Sequence, residues 1–201
     1  MLQFTDVTFA YPGRMAVLTR LNLSLGPGSL HHVTGANGAG KTTLLKLAAG
    51  VLRPTSGTVR LGRPRTYVGV GIGFHESLTV SEEIAYLASV GRQPESQLSA
   101  ALQDWDFDQQ LLTTEVSALS SGWRQRLALA VASTSQADIL LLDEPFANLD
   151  KAGSERVCAW IDQTTRAGGV VVVVHHGDIR AVGLESASSM ALGHVEALPR
   201  A

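Results

Sequence analysis

The chain has 201 residues, of which 45% are apolar and 17% charged. That balance excludes a disordered chain and suits one domain, or one domain with a small lobe. The 16 basic and 18 acidic residues nearly cancel, which argues against nucleic acid or an anionic membrane as the main partner. The single cysteine, Cys158, has no partner for an internal disulfide and points to a reducing compartment. The N-terminal MLQFTDVTF lacks the basic start and apolar block of a signal peptide. No apolar run approaches a membrane span. The sequence therefore predicts a soluble, cytoplasmic protein whose membrane role, if it has one, needs a separate chain.

In chain order, residues 2–11 alternate like a strand and Pro12-Gly13 turns them. Residues 17–25 form a second alternating run, ended by Gly26-Pro27-Gly28, and residues 30–34 a short strand. Residues 42–49 read as a helix stopped by Gly50 and Pro54. Short strands are predicted over 58–61 and 66–70. The run TVSEE opens a helix over 79–90, with Thr79 as N-cap and Glu82 three residues on. Further helices are expected over 95–102 and 123–135, and no strand between 78 and 135. Two fully apolar runs, 139–142 and 170–174, flank a helix over 151–166 that Gly168-Gly169 ends. Strand–helix–strand of this kind implies a parallel sheet. Residues 188–198 allow one or two more short strands.

Three stretches carry chemistry. The first is Gly35-Ala36-Asn37-Gly38-Ala39-Gly40-Lys41-Thr42, which fits G-x-x-x-x-G-K-[ST] between a strand and a helix. Its glycines let successive amides turn toward phosphate oxygens. Lys41 supplies charge for the β- and γ-phosphates, Thr42 a hydroxyl for Mg²⁺, and Thr43 a donor toward the α-phosphate. The second is ADILLLDEPFANLD, residues 137–150. Asp143 and Glu144 follow a buried strand, where an acid stands beside the phosphate loop in such folds. Asp143 is placed to hold Mg²⁺ through a water, and Glu144 to orient or deprotonate an attacking water. The third is LSSGWRQRL, residues 119–127, in which Ser120, Ser121 and Gly122 precede a helix whose start is a second anion site. After the run 170–174 come His175 and His176, either of which could sense a γ-phosphate.

Read in order, these pieces resemble the ATPase domain of ATP-binding-cassette proteins, from Tyr11 to His176, with LSSGWRQRL as the most specific mark. The resemblance implies an α/β fold: a P-loop nucleoside triphosphatase with a RecA-like parallel core, an N-terminal antiparallel β part and a helical lobe at about residues 76–135. It implies two such domains packed head to tail around two ATP molecules, Ser120, Ser121 and Gly122 of one chain capping the γ-phosphate on the P-loop of the other. Tyr11 stands where an aromatic stacks on adenine. Asp150 matches the loop that links the two sites. His176 matches the switch histidine, because the family usually has Thr-His there and His175 falls at the Thr position. One position departs: a glutamine that contacts Mg²⁺ and the membrane partner is replaced by Val70 or Gly71. Water, a backbone carbonyl, His75 or Glu76 could substitute. In compactness and in the wording LDEPF the chain is similar to small export-type subunits, haem exporters among them.

These likenesses imply an ATP-hydrolysing subunit, bound peripherally to the inner face of the membrane through an integral membrane transporter subunit. A second ATPase subunit completes it, a homodimer being slightly favoured because every residue for two equal sites is present. No nucleic-acid partner is implied. The alternative is a regulatory module of the same fold that dimerises on ATP without transport.

Overall fold

The computed structural model of the chain describes residues 1–61, 64–69, 73–91, 93–184 and 186–192. The chain divides into two compact units. One comprises residues 1–67, 137–144 and 161–201, and the other residues 68–136 and 145–160.

The first unit holds two sheets. In the smaller, β1 (Leu2–Ala10) lies between β2 (Ala16–Leu25) and β4 (Ser56–Leu61), antiparallel to both. The larger has the order β5 (Arg65–Val68), β6 (Ile139–Asp143), β7 (Val170–Val174), β3 (Ser29–Thr34), β8 (Ser188–Ala191). Its pairs β6–β7, β7–β3 and β3–β8 are parallel. Every residue of β6 and β7 is buried, which explains why these strands read as unbroken apolar runs and not as alternations. Ile139, Leu141, Val170, Val172 and Val174 share one core with Phe4, Val7, Leu18 and Leu25 of the small sheet. Between them α1 (Lys41–Ala49) contributes Leu44, Leu45, Leu47 and Ala48 to the same core. The helix that follows the phosphate loop is thereby fixed at its apolar face, and its N-terminus has little freedom to move.

The second unit is helical. Its α2 (Val80–Ser89) begins with the expected capping box: Thr79 Oγ1 accepts from the Glu82 amide and Glu82 Oε2 accepts from the Thr79 amide. Those bonds hold the exposed Glu82 carboxyl below its usual range, the Thr79 amide first and its hydroxyl second. Next come α3 (Glu95–Asp104), α4 (Gln109–Leu112) and α5 (Ser121–Ser133). Ile84, Leu98, Leu102, Trp105, Phe107, Val116, Leu127 and Leu129 are buried. The main chain at 76–80 hydrogen-bonds to 114–117 and closes the unit at its base. The helix α6 (Lys151–Arg166) starts in this unit and ends in the first.

Several boundaries differ from expectation. The helix α5 within the mark LSSGWRQRL, the signature of the resemblance, starts at Ser121, not at Trp123. Ser120 is its N-cap, accepting from the Trp123 amide at 3.3 Å, so Ser121 and Gly122 belong to its first turn. The short α4 and the 3-10 turns Val116–Ala118 and Ile179–Val182 had no periodic signal. Val70 and Gly71, expected at the glutamine position, and the tail beyond residue 192 lie outside the described residues.

Candidate nucleotide site

The phosphate loop leaves β3 at Thr34 and enters α1 at Lys41. Gly40 caps α1 in the left-handed conformation, φ +94°, and no side chain bonds the first-turn amides. Those donors stay available for an anion, reinforced by the helix dipole. Lys41 is buried, and its Nζ donates to Gly35 O at 2.7 Å and Ala36 O at 3.0 Å. The loop therefore holds the ammonium in place by its own carbonyls and leaves the third N–H. At the start of α1, Thr43 Oγ1 lies 3.2 Å from the Tyr11 hydroxyl. The Tyr11 ring is also edge-on to Phe9 of β1, 4.9 Å between centroids, so the aromatic expected at the base is held by the small sheet at its ring and by α1 at its hydroxyl.

Asp143, the last residue of β6, is 4% exposed. The Thr42 side chain stands close enough to favour the charged form of Asp143. Burial lifts its carboxyl above the usual range and the Glu144 charge adds to that, while Thr42, Lys46 and Lys41 oppose it. Its Oδ2 has no hydrogen-bond partner among the described residues. The buried Tyr67 hydroxyl stands near it without hydrogen-bond geometry. Burial first, and Asp143 second, push that phenol well up. A buried carboxylate oxygen lacking a donor, beside a threonine hydroxyl, is a donor set that a hard divalent cation fits. Thr42 and Asp143 thus suit Mg²⁺.

Glu144 follows with φ +52°, an uncommon backbone for a non-glycine residue. Its amide donates to Val174 O at 2.9 Å, which locks the turn against the end of β7. Both histidines meet its carboxylate. His175 Nδ1 is 3.4 Å from Oε2, and His176 Nε2 is 3.3 Å from Oε1, at ion-pair distance without hydrogen-bond geometry. His175 is the more buried, its side chain 17% exposed against 58% for His176. Sequence reasoning had set the two as alternatives; here they flank one acid.

The helical unit assembles the other group. The Gly122 backbone approaches Asn148 so closely that a Cβ on the glycine would stand 3.0 Å from Asn148 O. Asn148 itself has φ +58°. Asp150 accepts from the Gly153 amide at 2.8 Å and so caps α6, and Arg126 Nη2 lies 2.7 Å from it. Those two partners, the amide first, hold the exposed Asp150 carboxyl below its usual range. Arg126 also reaches Asp106, which Arg156 grips with both guanidinium arms at 2.6 and 3.1 Å. The Trp123 ring lies under Arg126, 4.8 Å from the guanidinium carbon, and edge-on to Phe107. Arg124 pairs with Glu76 and the 116–117 carbonyls, and His75 with buried Glu83.

The phosphate loop, Tyr11, Asp143, Glu144, His175 and His176 thus share the first unit. Ser120, Ser121, Gly122 and Asp150 share the second. Sequence reading missed Arg126 as the tie to Asp150; its signal was a four-residue step from Gly122, one helical turn. It also missed Tyr67, which no motif marks.

The ABC transporter family matches residues 18–147, a span that includes the phosphate loop, the signature helix and both strand-end acids. A cytochrome c biogenesis ATP-binding export protein CcmA from Bordetella bronchiseptica is 37% identical over 178 residues, 82% of this chain and 79% of that protein. The protein of the same name from Gluconobacter oxydans is 34% identical over 98% of this chain and 90% of its own. Among solved structures, an ATP-binding subunit of an ABC transporter superposes with a TM-score of 0.81 at 21% identity, covering 96% of this chain and 86% of that one. A dimeric ATP-binding cassette in a post-hydrolysis state, bound to ADP and Pi, gives 0.80 at 23% identity, with 96% and 94% covered. The same loop and acids that geometry singles out fall inside the matched span, and the chain belongs to the ABC transporter family, as one of its ATPases.

Proposed function

We propose that this chain is the ATP-hydrolysing subunit of an exporter, and that two such subunits close around two ATP molecules to drive a separate membrane protein. The observation that carries the catalytic part is Glu144. It stands one residue beyond the buried Asp143, with a fixed backbone and an imidazole near each carboxylate oxygen. A carboxylate so constrained can orient a water and accept its proton. The water oxygen then bonds to the γ-phosphorus while the bond from that phosphorus to the β–γ bridging oxygen breaks, leaving ADP and phosphate. The Gly35–Thr43 loop holds the triphosphate by backbone amides and Lys41, so most of the acceleration comes from positioning and charge. Thr42 and Asp143 would hold Mg²⁺, which when bound neutralises developing charge on the phosphate oxygens. Tyr11 offers its ring to the adenine.

Ser120, Ser121 and Gly122 would cap the γ-phosphate of the partner subunit, with Asp150 beside them linking the two sites. A capped first turn, with Gly122 free of any side chain, supports that role. The neighbour that is dimeric and bound to ADP and Pi supports the pairing of two subunits. Among the described residues no helix is long and apolar enough to cross a membrane, which supports work through an integral membrane chain at the inner face. The relatives named as export proteins support outward transport. In the proposed assembly residues 76–135 act as the helical lobe inserted into the catalytic core.

Glu144→Gln tests the reading. The variant should bind ATP, accumulate as an ATP-dependent dimer on size exclusion and lose at least ~100-fold in turnover. Turnover at the parent rate would sink it.

A further inference from the structure

We propose that His175 is a positioning residue for Glu144, secured by His32 and admitted by Gly177, in addition to whatever His176 does at the nucleotide. The inference rests on Glu144 as the water-orienting acid.

Three observations converge. His32 is 4% exposed on β3, three residues before the phosphate loop, and its Nε2–H donates to His175 O at 2.9 Å. A buried polar ring in a strand core needs such a partner, and here the partner is the main chain that presents His175. The His175 ring in turn reaches Glu144 Oε2 through Nδ1 at 3.4 Å. Finally, a Cβ on Gly177 would stand 2.7 Å from His175 Nε2. A methyl there would push the ring from its place beside Glu144.

A glutamate at a strand end has two free side-chain torsions before its carboxylate plane. His175 restrains that plane from the buried side, where its ring is shielded from water. Its Nδ1–H engages Oε2, while Oε1, which lies 3.3 Å from His176 Nε2 without a hydrogen bond, keeps its lone pairs for the attacking water. Without the imidazole Glu144 samples orientations that do not aim a lone pair at the water. Turnover then falls, while ATP affinity, set by the loop and Lys41, does not.

The test uses substitutions of graded shape in the full chain. His175→Ala should lower kcat by about 10- to 100-fold, with KM within about twofold. His175→Asn places an amide N–H where Nδ1–H was and should recover most of the loss. Gly177→Ala should reproduce the His175→Ala defect, because its methyl displaces the ring. In the His175→Asn background, which has no Nε2 to collide with, Gly177→Ala should cost nothing further. A Gly177→Ala loss of equal size in both backgrounds would overturn the proposal, since it would mark a general disturbance of the turn. So would a parent-like kcat for His175→Ala in a protein whose Glu144→Gln variant is inactive. An active Glu144→Gln variant would instead remove the reading of the site on which this one rests. Should His175→Ala fail to fold, the Gly177→Ala and His175→Asn pair still decides.

Discussion

Gly122 of the signature helix lies against the carbonyl of Asn148, so close that a Cβ would stand 3.0 Å from that oxygen. The two residues belong to separate stretches of the helical unit, and Asn148 holds a left-handed backbone, φ +58°, where they meet. The start of α5 and the loop at Asn148 are thus one packed piece. Gly122→Ala forces a shift of a few tenths of an ångström between them, and Gly122→Asp adds a negative charge where the proposed cap would meet a phosphate. We expect Gly122→Ala to lower ATPase activity several-fold and Gly122→Asp to abolish it, with ATP binding to the isolated subunit retained in both. Steady-state turnover and equilibrium binding of a fluorescent ATP analogue separate the two effects.

Arg126 extends the same tie. It joins Asp150 at 2.7 Å and Asp106 at 3.3 Å, and Asp106 receives both arms of Arg156. Arg156 is the main reason the Asp106 carboxyl lies below its usual range. The acids are largely exposed, so the network adds little to global stability. Its effect is on geometry. Arg126→Ala should leave the thermal midpoint within about 3 °C of the parent and yet reduce ATP-dependent dimerisation about tenfold or more. Lys at the same position restores charge but not the fork that serves two carboxylates, and should recover only part. Analytical ultracentrifugation with ATP in a hydrolysis-deficient background measures this directly.

How much of this was legible beforehand depends on the kind of signal. The helix at Lys151–Arg166 and the strand Val170–Val174 were readable to the residue, because Gly168-Gly169 and a run of five valines leave no other register. The capping box at Thr79 was readable for the same local reason. The place of the phosphate loop between β3 and α1, and of the acids at the end of β6, was readable because spacing marks both. The start of the signature helix was misread: Ser121 and Gly122 are poor helix formers, yet the bonded Ser120 cap carries the helix back over them. What no pattern announced were ties between distant stretches, such as Arg126 to Asp150 or His32 to the His175 carbonyl, 143 positions apart. Such bonds depend on tertiary placement, which local periodicity does not contain.

Leu141 shows what the core requires. It is fully buried in β6 and belongs to the cluster shared by both sheets and α1. Leu141→Ala should cost about 2–5 kcal/mol, the range for buried leucine truncations that leave a cavity. Because the strand carries Asp143 at its end, the cavity also loosens the acid. Urea unfolding should show a lower midpoint with an unchanged m-value, and ATPase activity at low temperature should fall by more than the unfolded fraction accounts for.

Asp143 carries a dependence on pH whose direction follows from its surroundings. Its folded carboxyl titrates above the ordinary aspartate value of about 3.9, chiefly through burial. The folded chain therefore holds this proton more tightly than the unfolded chain does. As pH rises from the ordinary value through the folded one, the unfolded state releases the proton first, and the nucleotide-free fold loses stability across that window. Above it the loss is complete, because a charged carboxylate sits buried with one oxygen lacking a donor. Asp143→Asn removes the charge and keeps the shape. The nucleotide-free variant should melt about 2–4 °C higher than the parent at neutral pH for each ~1 kcal/mol relieved. The gap should close as pH falls through the same window. The substitution should also abolish Mg²⁺-dependent ATP hydrolysis, since the proposed cation site loses its anionic oxygen. Scanning calorimetry of both proteins across mildly acidic to neutral pH, without nucleotide, measures the first effect. A gap that widens on acidification would contradict the burial of Asp143 as its cause.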